Sequence, residues 1–64
     1  MSKAKRERIL TNREFRDGWE CIERDDIGRF YWRAVEGDME VCFPVNEAFV
    51  ADKFAECGRE YVRR

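Results

Sequence analysis

The sequence predicts an α+β fold: a short N-terminal helix, a three-stranded antiparallel β-meander, and a long C-terminal helix packed on one sheet face. Three observations carry this reading. Arg29 to Val45 reads as two strands joined by a two-residue Gly37-Asp38 loop. From Glu47 to about Val62, apolar side chains recur at helical spacing. Between Leu10 and Gly18 the chain carries the start and stop signals of a capped helix.

Taken in order, residues 1–8 are basic and almost without apolar side chains, which predicts a flexible tail ahead of a single domain over residues 9–64. Thr11 at N-cap and Glu14 three residues on make a capping box, and Leu10 with Phe15 makes a hydrophobic staple. Gly18 stands where a helix C-cap wants a residue that tolerates positive φ. The helix would run from about Asn12 to Asp17; a longer one from about Lys3 competes with it. Trp19 to Arg24 reads as the first strand and Asp25-Asp26-Ile27-Gly28 as a turn. Pairing Arg24 with Arg29 sets Glu23 opposite Phe30, Cys21 opposite Trp32 and Trp19 opposite Ala34. Trp19 and Cys21 would then face the core, and Ile22 and Glu20 the open side.

The Gly37-Asp38 loop fixes the second register, with Glu36 opposite Met39. Counting back, Ala34 faces Val41, Trp32 faces Phe43 and Phe30 faces Val45, all on one side of the sheet. Pro44 suits an edge strand or a strand end. Asn46 is a good N-cap for the last helix, whose stripe is Phe49, Val50, Phe54, Cys57 and Tyr61. Glu47 in its first turn, and Arg59, Arg63 and Arg64 near its end, suit the helix dipole. Gly58 marks either close packing or an early end. The predicted core is Trp19, Phe30, Trp32, Val41, Phe43, Phe49, Phe54 and Tyr61.

Composition narrows the function. The chain has 64 residues, enough for one domain, and 42% of them are charged. The formal net charge is -1, unevenly placed: residues 1–17 hold six Lys/Arg against three Asp/Glu, and the remainder seven against eleven. No apolar run approaches ~18 residues, and the N-terminus lacks the apolar core of a signal peptide. Three cysteines suit a reducing compartment. These points predict a cytoplasmic protein, or one in the host cytoplasm if phage-encoded, with no membrane partner. There is no His, and the only hydroxyls besides Tyr31 and Tyr61 are Ser2 and Thr11. Neither a nucleophile with its base, nor a zinc spacing, nor a phosphate loop is present. The expectation is a protein that is not an enzyme and needs no cofactor or metal. Cys42, beside Arg33 on the open face, is the one thiol expected to be reactive.

Binding remains. The open sheet face would gather Ile22, Arg24, Arg29, Tyr31, Arg33, Val35 and Cys42, with Pro44 beside them, and this mix of aromatic, Arg and aliphatic residues suits a protein interface. It would serve a protein partner, with the chain a monomer or a homodimer through that face. The alternative is a small DNA- or RNA-binding protein using the same face and the basic arm; the acidic balance of the body opposes it. A further reading uses Asp25, Asp26, Glu36, Asp38 and Glu40, near the turns and strand ends, with Glu47, Asp52, Glu56 and Glu60 along the helix. Such an acidic surface fits a basic groove on a nucleic-acid-binding complex. In size and architecture, a free-standing, charge-dense α+β chain of this kind resembles the small inhibitors encoded by phages and mobile elements, anti-CRISPR proteins among them. That resemblance implies a protein that binds and blocks nucleic-acid-handling machinery.

Overall fold

The computed structural model describes residues 5–62. Residues 1–4, with Ser2 and Lys3 in the expected tail, lie outside it, as do Arg63 and Arg64. Four strands come first: β1 (Arg6–Phe15), β2 (Gly18–Asp25), β3 (Phe30–Glu36) and β4 (Met39–Val45). Among the described residues a single helix, α1 (Glu47–Glu56), follows. The strands form one antiparallel sheet in the order β1-β2-β3-β4. No helix among the described residues is long and apolar enough to cross a membrane.

Three expectations are corrected. The first is the N-terminal helix, which is the edge strand β1, starting at Arg6 within the stretch read as a tail. A helix of about six residues is far below the length at which local signals suffice, since nucleation is unfavourable below ~12–15 residues. Pairing with β2 supplies the backbone partners instead. Two register shifts, between Arg8 and Leu10 and between Asn12 and Phe15, break the alternation that betrays a strand. The first lets the adjacent Ile9 and Leu10 both pack toward the core. In the second, the Asn12 side chain accepts the Glu14 amide at 3.1 Å. Gly18 is no helix cap. It opens β2, where a Cβ would collide with the Val35 carbonyl oxygen.

The second correction concerns the face of β2. Arg24 pairs with Phe30, Ile22 with Trp32 and Glu20 with Ala34, one residue away from the expected register. The loop is Asp26-Ile27-Gly28. The Gly28 amide donates to the Asp25 carbonyl at 3.2 Å, the Asp25 amide donates to the Arg29 carbonyl at 2.9 Å, and Gly28 has φ +88°. This is the three-residue hairpin in which a type I turn is closed by a left-handed glycine. Shifting the register by one residue exchanges the faces of a strand. Glu20, Ile22 and Arg24 therefore face the helix, and Trp19, Cys21 and Glu23 the opposite side. The β3–β4 register is as expected, from Glu36 opposite Met39 to Phe30 opposite Val45. Gly37 takes φ +59°, as the first position of a II′ turn requires.

The third correction is the length of the helix. Asn46 caps it, accepting the Phe49 amide at 2.9 Å. The helix ends at Glu56, because Gly58 at φ +70° donates to the Ala55 carbonyl and the Arg59 amide reaches the Phe54 carbonyl at 2.8 Å. These two bonds are a Schellman motif. Past it the chain folds back, and Tyr61 packs edge-on against Phe54 and Phe30. Leu10, Ile22 and Val50 are the buried centre, ringed by Phe30, Trp32, Val45, Phe49 and Phe54.

Ile22 tests the corrected register. It is 1% exposed beneath the helix. Ile22→Ala is expected to cost ~2–5 kcal/mol in urea denaturation, most of what so small a domain has. A loss within ~0.5 kcal/mol would return Ile22 to the open face.

Candidate functional site

On the side away from the helix, the sheet is covered by its own long side chains. Glu23 is buried and lies 3.9 Å from Arg6 and 3.4 Å from Arg33. Arg33 continues to Glu40 at 2.7 Å. The Arg6 guanidinium lies 3.8 Å from the Tyr31 ring centre, and that of Arg8 5.1 Å from Trp19. These charges alternate across the four strands and largely neutralise one another. The hydrogen bond that Arg33 donates to Glu40, then the charge of Glu23, raises the Arg33 pKa further. At one end of this face, Asp25 is 6% exposed and organises the loop. Its carboxylate accepts the Ile27 and Arg29 amides, the Arg29 Nε–H and the Tyr31 hydroxyl. Burial works to raise its pKa, but these bonds outweigh it and hold the group below its ordinary value.

The residues expected to form one binding face are thus divided. Tyr31, Arg33, Val35 and Cys42 share the open side, and Arg29 sits at its end with a side chain 70% exposed. Ile22 is core, and Arg24 is on the helix side, 3.3 Å from Glu7. The acidic set is dispersed as well. Asp25 is buried, Glu36 meets Arg16 and Glu40 meets Arg33. Asp26 and Asp38 occupy the loops at opposite ends of β3, about 20 Å apart at the rise of a strand. Among the described residues, no group of three or more His, Cys, Asp or Glu side chains is placed to hold a metal ion.

The helix side holds what the sequence reading missed. A helix of ten residues is about 15 Å long, whereas the molecule extends 32 × 31 Å in its two larger dimensions. The helix therefore leaves part of β3 and β4 bare. Trp32 lies at the border. It stacks on Phe43 at 5.9 Å and 7°, and meets Phe15 and Phe49 edge-on. Phe43 is 52% exposed and Met39 68%. Between Phe15, Trp32, Ala34, Met39 and Val41 there is a shallow hollow of about 130 Å³, rimmed by the Arg16–Glu36 pair at 3.7 Å. An apolar centre with a charged rim is the anatomy of a protein interface. The signal was present in the sequence, because Phe43 and Val41 were already placed on this side. Only the helix length hid their exposure.

Beneath the helix edge lies a polar cluster. Glu20 is 4% exposed. It accepts Asn12 Nδ2 at 2.8 Å and Trp32 Nε1 at 2.7 Å, and pairs with Lys53 Nζ at 3.2 Å. Burial alone would raise the Glu20 pKa, but the bonds from Asn12, Trp32 and Lys53, with the Lys53 charge, lower it below its ordinary 4.5. Burial would likewise lower the Lys53 pKa, and its contacts with Glu20 and Glu56 raise it instead. Both Glu20 oxygens meet internal donors, and the bond to the indole fixes the Trp32 ring at the edge of the hollow.

Comparison with protein-family models, with curated proteins and with solved structures finds no match for this chain.

Two outcomes follow from this geometry. The Glu20 pKa is lowered in the folded chain, so its stabilisation is complete above the unfolded value of 4.5 and is lost as pH falls through the native value. Glu20→Gln is expected to cost ~1–3 kcal/mol at neutral pH, with the gap to the parent closing in acid. Denaturation curves at several pH values check this, and a gap independent of pH would sink it. Among the thiols, Cys42 is exposed, Cys57 intermediate and Cys21 buried, with burial pushing the Cys21 thiol up. In dilute native protein, mass-resolved alkylation is expected to label Cys42 first and Cys21 only on unfolding. Early labelling of Cys21 would mean that the Arg8 and Arg33 side chains do not cover it.

Proposed function

We propose that this chain is a non-enzymatic protein-binding module that engages its partner through the helix-side strip of Phe15, Trp32, Met39, Val41 and Phe43. The observation that carries this reading is the half-exposed Phe43 stacked on Trp32, a ring pair held rigid by the Glu20 bond to the indole. Rigid aromatics at the centre of an apolar patch are the side chains that dominate interface energies. The form of this reading we place first is an inhibitor, encoded by a phage or mobile element, that blocks nucleic-acid-handling machinery.

Direct binding of DNA or RNA by the open face has less support. Affinity for nucleic acid comes mainly from cations that neutralise phosphate. Here Arg6 and Arg33 already face Glu23 and Glu40, Arg29 faces Asp25, and Arg24 faces Glu7.

The test is capture of a partner from the source organism, comparing Phe43→Lys and Met39→Lys with Arg29→Glu. The strip variants are expected to weaken capture at least ~10-fold, the scale of a hot-spot side chain, while melting shifts little. Arg29→Glu is expected to bind as the parent does. Loss with Arg29→Glu alone would move the site to the open face. Tight duplex binding by the parent, falling with log salt at a slope near ~−0.9 per phosphate neutralised, would favour nucleic acid.

A further inference from the structure

The sheet has two edges, and they are built differently. β1 carries Arg6, Glu7, Arg8, Arg13 and Glu14 and two register shifts. Charges and bulges are the devices that keep an edge from pairing with another strand. β4, M-E-V-C-F-P-V, has one charged residue and pairs with β3 without a shift along its whole length.

The hairpin turn decides which backbone groups of β4 are free. Glu36 and Met39 close a two-residue loop and so form a hydrogen-bonded pair, after which bonded and non-bonded pairs alternate. Met39, Val41, Phe43 and Val45 therefore bond to β3. Glu40, Cys42 and Pro44 direct their backbone groups outward, and Pro44 has no N–H to offer. The edge presents the amides of Glu40 and Cys42 and the carbonyls of all three residues.

We propose that this edge pairs, antiparallel, with β4 of a second copy of the chain, about a two-fold axis at Cys42. Cys42 is the midpoint of Met39–Val45, so only this register overlaps all seven residues. The Cys42 amides of the two copies donate to each other's Cys42 carbonyls. Each Glu40 amide donates to the Pro44 carbonyl of the other copy. All four outward amides find acceptors; because Pro44 has no N–H, the two Glu40 carbonyls are left to solvent. On the helix side, Phe43 lies opposite Val41 of the second copy and Met39 opposite Val45, so the two large exposed apolar side chains of β4 gain apolar neighbours. The charges agree as well. Glu40, the one charged residue of β4, lies opposite Pro44 rather than another carboxylate, and the two Glu40 residues stand roughly 14 Å apart along the strands. A register centred on Glu40 would set like charges face to face. The product is one eight-stranded sheet whose aromatic strips join across the axis.

Self-pairing does not depend on the identity of any binding partner, and the purified 64-residue chain tests it. Sedimentation of the reduced protein across a wide concentration range is expected to show a monomer–dimer equilibrium. Cys42→Pro removes two of the four bonds and is expected to weaken the dimer at least ~10-fold. Its circular dichroism should stay parental, because that amide makes no bond to β3. If Cys42→Pro does not fold, Phe43→Lys, which leaves the backbone intact, is expected to abolish the dimer. In a hydrogen-bonded pair the Cα atoms lie about 5.5 Å apart. A short bifunctional thiol reagent should therefore link two parent chains through Cys42 and not through Cys57. A chain that is monomeric at every concentration overturns the proposal. So does a dimer that survives Cys42→Pro and is not linked at Cys42. A monomer that loses its protein partner on Cys42→Pro would assign the edge to a strand of that partner. A monomer that loses the partner only on Phe43→Lys would leave the strip reading standing alone.

Discussion

The Glu20 carboxylate holds the molecule's layers in one arrangement. It sits on β2 and receives Asn12 from β1, Trp32 from β3 and Lys53 from α1. Four of the five elements thus meet at one anion. Burying a charge is strongly unfavourable unless donors replace water, and here three do. Such a pair adds little net stability over an apolar core of the same shape, yet removing one partner leaves a buried charge and is severe. Its effect is on specificity. A one-residue slip of β2 against β3 would turn Glu20 outward and leave the Trp32 indole and Lys53 facing apolar neighbours.

The same register decides what each surface offers. With Glu20 inward, β2 sends Glu23 to the open side, where it completes the charge ladder from Arg6 through Arg33 to Glu40. That face is covered by its own paired charges. With Trp32 tethered at the helix margin, the aromatic surface falls instead on the helix side, between Phe15 and Phe43. The ten-residue helix covers the buried centre of the sheet and leaves Met39 and Phe43 of β4 exposed.

What could be read from the sequence followed the strength of local constraint. The Gly37-Asp38 loop admits one register, and every β3–β4 pair agrees with it. The loop after Asp25 is one residue shorter than expected, and that single residue exchanged the faces of Cys21 and Ile22. The deciding chemistry was legible, because Asp at the first and Gly at the fourth position of a turn is a type I signature. In β2 either face offers apolar side chains, so hydrophobic pattern could not arbitrate. β1 was obscured twice, by bulges that spoil its alternation and by cap-like residues that serve other ends. Asn12 and Glu14 stabilise a bulge there, and Gly18 makes room for the Val35 carbonyl. The helix end at Gly58 was one of two meanings available to that glycine, and its φ of +70° selects it. The exposed aromatic strip was missed for want of that boundary, since Phe43 reads as core only if a longer helix covers it.

Each strand lies beside its neighbour in sequence, and no connection crosses over the sheet. The chain never has to bring distant segments together before pairing can begin. The three hairpin closures span only a few residues each, and the helix returns onto strands that are already joined. The entropy of closing a loop grows with its length, so each step here is among the least demanding the polymer has. Folds of this local character reach the native state quickly and spend little time with paired edges incomplete. For a chain whose β4 edge is so lightly guarded, rapid completion of its own sheet is the main protection against joining another chain's too early.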